Sequence, residues 1–328
     1  MNFLKNLKKP YKVLAPMVGN SELAWRILAR RYGADICYTE MVNCDTFIRS
    51  KINPLSNRWY TTNKIDRPLI IQICGNDVNK MLKVSLILQE YCDAIDINLG
   101  CPQEIARKGN YGSFLMDDLL KVKEIVTVLS NNLKVPVTCK IRIFESIEKS
   151  VEYAKMIEQA GCKMLTVHGR TRDQRGLNTG LASWDHIRAI KASLNIPVIS
   201  NGNIINNSDI DNCVEYTKCD GVMVAETHLY NPLIFIKRHS KTNISIYKEY
   251  LNIFLENYNE YDIHTIKSHT FKLLKKFLKQ YPEFSEHINL CKTLKDYINL
   301  CDVLETFIKD KNVESVYLGM DPYIRKIS

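Results

Sequence analysis

Val135-Pro136-Val137-Thr138-Cys139-Lys140-Ile141-Arg142 places a proline, a short β-branched run and two cations in sequence. The proline stands at the entrance of the run, where its missing N–H costs a strand ladder nothing. Val137–Ile141 is too short for periodicity to separate strand from buried helix, so β-branched content and flanking breakers decide for strand. Lys140 and Arg142, two residues apart, leave the same face of that strand.

Seven more runs of this kind lie to either side: Val13–Met17, Ile36–Thr39, Leu69–Ile73, Ala94–Asn98, Met164–Val167, Val198–Ser200 and Gly221–Val224. Arg67-Pro68 and Ile196-Pro197 again put proline at the entrance. Amphipathic stretches fill the intervals. Glu22 to Tyr32 ends in cations and Gly33, Ile147 to Ala160 ends in Gly161, and Ser183 to Ile190 leads into the seventh run. Eight strand–helix units predict an α/β fold, a parallel sheet closed into a TIM (β/α)8 barrel. The Gly-x-Gly-x-x-Gly fingerprint of an open dinucleotide-binding sheet is absent after the first run. Around Lys237-Arg238-His239-Ser240-Lys241 the strand pattern gives way to helical periodicity. Residues 1–240 therefore read as the barrel and 241–328 as a small C-terminal all-helical domain.

The 328 residues suffice for one large barrel and an appendage. Hydrophobic residues at 45% and charged residues at 25% exclude wholesale disorder. The net charge of +9 suits a polyanionic partner. No apolar stretch is long enough to span a bilayer, and the N-terminus lacks a signal-peptide core. Eleven cysteines, an odd number with no C-x-x-C spacing, predict reduced thiols and no metal site. The expected setting is the cytoplasm, with the nucleus as the alternative, and the expected state is a monomer with no membrane partner.

In such barrels the functional groups gather at the carboxyl ends of the strands. Those ends carry Pro16, Met17 and Val18; Gln72; Asn98 with Cys101; Lys140 with Arg142; His168 with Arg170; Asn201-Gly202-Asn203; and Ala225-Glu226. Asn201-Gly202-Asn203 can present backbone N–H groups to an anion, whereas Glu226 can contribute only its backbone to one. Lys140 can stabilise a reduced flavin or a polarised carbonyl, or be a salt-bridged rim residue. Cys101 lies in a turn between Gly100 and Pro102, where a thiol can deliver a proton without a metal. Further on, a helical projection of Ile263 to Lys279 puts Ile266, Thr270, Leu273, Leu274 and Phe277 on one stripe. Lys272, Lys275, Lys276 and Lys279 fall on the far side, a face suited to phosphates or merely to solvent.

Several segments carry a resemblance. Leu14-Ala15-Pro16-Met17-Val18, Asp96-Ile97-Asn98-Leu99-Gly100-Cys101-Pro102-Gln103, Cys139-Lys140-Ile141-Arg142, Thr166-Val167-His168-Gly169-Arg170-Thr171-Arg172 and Ser200-Asn201-Gly202-Asn203-Ile204 resemble the tRNA-dihydrouridine synthases. Gly100 to Arg107, and Val224-Ala225-Glu226 followed by Asn231-Pro232, look like the eukaryotic branch acting at tRNA positions 16 and 17. Most bacterial members carry Gly-Arg where Ala225-Glu226 stands. The resemblance implies FMN held by Pro16, Met17, Val18, Gln72, Lys140, His168, Asn201, Gly202, Asn203, Ala225 and Glu226, with NADPH as reductant. It implies Cys101 as general acid toward uracil C5, hydride arriving at C6, and Asn98, Arg142 and Arg170 near the uracil. The tRNA would be gripped by Lys272, Lys275, Lys276 and Lys279. Two other readings share part of this pattern: an FMN barrel reducing a free small molecule, and an RNA-binding scaffold without a flavin.

Overall fold

The computed structural model describes residues 2–50, 61–257 and 263–311. Nine parallel strand segments run β1 (Tyr11–Leu14), β2 (Ile36–Tyr38), β3 (Val42–Asn43), β4 (Leu69–Cys74), β5 (Ala94–Leu99), β6 (Val137–Arg142), β7 (Leu165–His168), β8 (Val198–Asn201) and β9 (Gly221–Val224). Each pairs with its neighbour, and β9 returns to β1 through Tyr11 opposite Gly221 and Leu14 opposite Val224, so the sheet is closed. β2 and β3 together fill the second barrel position, both pairing with β4. All eight expected strands are present. The first is displaced: the ladder ends at Ala15, whose N–H bonds Val224 O at 3.0 Å. Pro16 has no N–H to extend it, and Met17 N–H turns to Ser21 Oγ at 2.8 Å.

Alternation along the strands separates two environments. Outward residues such as Ile71, Ile97, Ile141 and Val167 meet the surrounding helices in one large core. Inward residues Tyr11, Val13, Ile36, Tyr38, Ile70, Ala94, Met164, Ile199 and Met223 fill the barrel, and Leu4 with Phe3 and Leu7 packs against them. The N-terminal turn thus plugs the amino end of the barrel with apolar side chains, each favouring burial by about 1.5–3 kcal/mol. The other end is left for polar groups.

After Val224 the described elements are all helical. The helices Asn243–Glu256, Ile263–Leu273, Phe284–Leu290 and Leu294–Asp310 share one continuous core with Leu14, Trp25 and Leu28 of the barrel. At its centre the Glu22 carboxylate, buried, accepts Tyr250 Oη–H at 2.9 Å and lies 3.0 Å from His269 Nε2. The His269 ring stacks on Trp25 at 3.9 Å. The single helix read over Ile263 to Lys279 is broken at Leu274 into Ile263–Leu273 and Lys275–Gln280. Its stripe of Ile266, Thr270, Leu273, Leu274 and Phe277 is nonetheless fully buried. The last part of the 241–328 segment, from 312 on, lies outside the described residues. No described helix is long and apolar enough to cross a membrane.

Candidate active site at the carboxyl end of the barrel

Strand register builds the site. Gln72 pairs with Asp96 and Asp96 with Thr138; one step higher, Asn98 pairs with Lys140 and Lys140 with Thr166; above that, Arg142 pairs with His168 and His168 with Asn201. All these side chains alternate with outward core residues, so they enter the barrel above its apolar floor. Asp96, fully buried, accepts from Gln72 Nε2 at 2.8 Å and from Thr138 Oγ1 at 2.7 Å. Burial pushes its carboxyl up to about 6 despite those two hydrogen bonds. Gln72 Oε1 in turn accepts Asn98 Nδ2 at 2.8 Å. Asn98 Oδ1 then receives the backbone N–H of Gly100 at 3.1 Å and of Cys101 at 2.9 Å. A chain of side chains therefore runs from the middle of the barrel to the thiol-bearing turn.

The opposite side of that turn is held too. Cys101 O accepts Ser113 N–H and Ser113 Oγ, both at 3.0 Å. Gly112 (φ 65°) comes so close that a Cβ there would stand 2.7 Å from Cys101 O. The thiol is half-buried and packs with Met41 and Phe114 against Cys74, Ala106 and Tyr111. The other ten cysteines are also free thiols, nine of them buried. The described residues hold no cluster of three or more metal-ligating side chains.

Lys140 differs from its neighbours. Its ammonium has no hydrogen-bond or ion-pair partner among the described residues, and the Thr166 hydroxyl, paired with it across β6 and β7, has no hydrogen-bond partner either. Burial, and then the Arg142 charge, push its pKa down to about 8, with Asp96 opposing. Arg142 is instead engaged through Nε and Nη1: Nε donates to Gly100 O at 2.9 Å, and Nη1 to Thr171 O at 2.6 Å and Gln174 O at 3.2 Å. It braces two loops. His168 lies 2.9 Å from Arg170 Nη1 through Nε2. A guanidinium only donates, so Nε2 is the acceptor and the neutral ring carries its proton on Nδ1. Burial and the nearby Lys140, Arg142 and Arg170 charges hold His168 well below the usual imidazole range.

A cavity of about 590 Å³ opens over β6 to β9. Arg142, His168, Arg170, Asn201, Gly202, Asn203, Ala225 and Glu226 line it, joined by Gln103, Gln174, Arg175 and Thr179. Gly202 (φ 117°) and Asn203 (φ 61°) both have positive φ, the tight-turn backbone that glycine adopts most readily. A Cβ on Gly202 would stand 2.6 Å from that of Ala182, so only glycine fits. Asn203 is locked by Ala182 N–H at 2.9 Å and by its own Nδ2 to Ala182 O at 2.8 Å. Pro16, Met17, Val18, Gln72, Asn98, Cys101 and Lys140 do not line this cavity. They form the adjoining β1, β4, β5 and β6 part of the same rim.

The four lysines separate. Lys272 Nζ, half-buried, donates to Asn20 Oδ1 at 2.7 Å and to Ser268 Oγ at 3.0 Å, tying its helix to the loop after β1. Lys275 lies over the Tyr230 ring at 4.7 Å. Lys276 is half-buried and Lys279 exposed. Sequence reading singles out neither Asp96 nor Thr138. Their two-residue spacing from Asn98 and Lys140 was the available signal.

The pattern described as Dihydrouridine synthase (Dus) matches residues 13–317. Among similar proteins, the Mus musculus "tRNA-dihydrouridine(16/17) synthase [NAD(P)(+)]-like" is 44% identical over 282 residues, covering 86% of this chain and 59% of that protein. The Schizosaccharomyces pombe "tRNA-dihydrouridine(16/17) synthase [NAD(P)(+)]" is 46% identical over 291 residues, covering 84% and 72%. The Homo sapiens "tRNA-dihydrouridine(20a/20b) synthase [NAD(P)+]-like" is 37% identical over 248 residues, covering 75% and 76%. The chain belongs to the dihydrouridine synthase family. It spans less than two thirds of the length of the mouse and rat relatives.

Proposed function

We propose that this chain is a tRNA-dihydrouridine synthase that reduces the 5,6 double bond of D-loop uridines, at positions 16 and 17, with FMN as cofactor and NADPH as reductant. The observation that carries the reading is the Lys140 ammonium, without a hydrogen-bond or ion-pair partner among the described residues, set in the barrel mouth between Asn98 and Thr166. Such a cation calls for an electron-rich ligand. The tight turn at Gly202–Asn203, with no room for a Cβ at Gly202, suits the phosphate of the same ligand. These features fit FMN. Lys140 and His168 would face its ring, Asn201, Gly202, Asn203, Ala225 and Glu226 its ribityl phosphate arm, and Pro16, Met17, Val18 and Gln72 its other edge. Ala225-Glu226 offers no arginine, so the Gly202–Asn203 turn and Arg170, 3.5 Å from a Cβ built on Gly202, would hold the phosphate.

When bound, FMN supplies the hydride, taken from NADPH, to uracil C6. The chain supplies the rest. The Cys101 thiol gives its proton to uracil C5, so the two hydrogens add to adjacent carbons and the double bond is consumed. Asn98 fixes the Cys101 backbone, and Gln72 and Asp96 fix Asn98. Arg142, bonded to three carbonyls through Nε and Nη1, holds the Gly100 turn and the loop after β7 in register beside the uracil. The base reaches the mouth only after leaving its stack. Residues 241–328 serve as the RNA-binding part, with Lys276 and Lys279 toward phosphates, while Lys272 and Lys275 seat that part on the barrel.

The test is the tRNA of cells lacking this protein. Loss of dihydrouridine at positions 16 and 17 supports the reading; unchanged dihydrouridine throughout the D-loop, with no second synthase present, rejects it.

A further inference from the structure

The loop from Arg170 to Trp184 carries a side chain that the proposed chemistry leaves unused. Leu177 is 103% exposed, the most exposed large apolar side chain among the described residues. Isolated exposed leucines are ordinary on soluble proteins. This one has an unusual setting.

Its loop is rigidly built. Arg142, rising from β6 inside the barrel, holds Thr171 O and Gln174 O. Gln174 Oε1 accepts Thr171 N–H at 2.8 Å, and its Nε2 donates to Leu181 O at 3.3 Å, closing the loop's neck. Arg175 Nη1 bonds Pro102 O, and Arg172 Nη1 bonds Asp117 Oδ2 at 2.6 Å, so the loop is anchored to the Cys101 side of the mouth. At the tip, Asn178 N–H bonds Arg175 O at 3.1 Å and Thr179 Oγ1 bonds Gly176 O at 2.8 Å, forming the single turn Gly176–Asn178. A tip this well tied could have buried its one large apolar side chain or carried a polar one. It points Leu177 into solvent instead.

The same loop is a wall of the cavity: Gln174, Arg175, Gly176, Thr179, Gly180 and Leu181 line it. An apolar tip therefore stands beside the opening through which a base must enter. We propose that Leu177 is a wedge: it takes the stacking position left by the uridine that turns out, and so positions that nucleotide for the cavity behind it. An inserted apolar side chain offsets part of the unstacking cost and blocks the base's return. The inference rests on the tRNA reading given above and adds to it a residue that the reacting atoms never meet.

The experiment uses the full chain loaded with FMN and an unmodified tRNA carrying 2-aminopurine beside the target uridine. Leu177→Ala is expected to raise the KM for tRNA by about tenfold, to slow single-turnover reduction, and to abolish the fluorescence rise on binding. NADPH oxidation by the flavin without tRNA should stay at the wild-type rate. Leu177→Met should recover most of the lost activity, because a flexible apolar side chain can fill the same gap. Wild-type reduction and wild-type fluorescence in Leu177→Ala overturn the inference alone. A wild-type protein that reduces no tRNA overturns the underlying reading and the wedge with it.

Discussion

Asn98 Oδ1 accepts the backbone N–H of Cys101 at 2.9 Å, while Asn98 Nδ2 donates to Gln72 Oε1 at 2.8 Å. One side chain thus uses both ends of its amide to hold the thiol-bearing turn in register with strand β4, two barrel positions from β6. The turn is not a loose loop that happens to carry cysteine. Its backbone is fixed from inside the barrel by Asn98 and from outside by Ser113.

Removing the acceptor should therefore hurt catalysis before it hurts cofactor binding. Asn98→Ala strips two backbone N–H groups and one Gln72 oxygen of their partners. Each loss costs about 1–3 kcal/mol where no water replaces the partner. The expected result is a turnover lowered roughly tenfold or more, with the flavin absorbance of the purified protein unchanged. A protein that loses flavin in proportion to activity would assign Asn98 to cofactor binding.

The thiol itself is tested by Cys101→Ala. General acid catalysis contributes about 10²–10⁴-fold, so tRNA reduction should fall by that factor while NADPH still bleaches the flavin. Stopped-flow traces separate the two half-reactions. An unchanged rate of flavin reoxidation by tRNA would remove Cys101 from the mechanism.

Lys140 makes a pH prediction. In the ligand-free protein its pKa is lowered from 10.5 to about 8 by burial and Arg142. Below pH 8 the ammonium is present and FMN affinity should be flat. Above it, binding an electron-rich ring requires proton uptake, so affinity should fall by up to about tenfold per pH unit. The unfolded chain binds more protons between pH 8 and 10.5, so the apoprotein's burial cost for this lysine shrinks across the same window. Lys140→Met should weaken FMN binding and flatten both slopes, measured by fluorescence titration and by urea unfolding.

Glu22 joins barrel to helices, and its role is structural. Burial works against its charged form, yet His269 and the Tyr250 hydroxyl hold its pKa below the usual carboxylate range. Its contribution is therefore present above the unfolded carboxylate pKa and lost as pH falls through the folded one. Glu22→Gln should cost about 3 kcal/mol in urea unfolding at neutral pH, because it leaves buried partners uncompensated. Wild-type stability in that variant would contradict the assignment.

Where a residue lies along its own strand was legible; what it faces across space was not. Proline entrances and β-branched runs located all eight barrel strands, because those signals are local. The tight turn at Asn201-Gly202-Asn203 was also readable, since a positive-φ backbone favours a small residue at Gly202. By contrast, the projection of Ile263 to Lys279 found the buried stripe but treated the far side as open. Periodicity reports one helix at a time, and it cannot show that Asn20 and Tyr230 of the barrel approach Lys272 and Lys275. The carbonyls that Arg142 meets, those of Gly100, Thr171 and Gln174, escaped sequence reading for the same reason: only the fold brings them together. The N-terminal plug of Phe3, Leu4 and Leu7 was missed because three apolar residues among lysines carry no periodic signal.

The two outer lysines give a test that the inner pair does not. Replacing Lys276 and Lys279 together by glutamine should lower the slope of log affinity for tRNA against log salt by about 1–2. Lys272→Gln should change that slope less and destabilise the seating of its helix instead. Equal slopes in all variants would place the RNA elsewhere.

The most direct measurement is an anaerobic absorbance experiment on the purified protein with FMN and one equivalent of NADPH. The account predicts a flavin band that bleaches on NADPH addition and returns when unmodified tRNA is added, with dihydrouridine formed in step. A colourless protein that takes up no FMN, or a bleached flavin that tRNA fails to reoxidise, would contradict it.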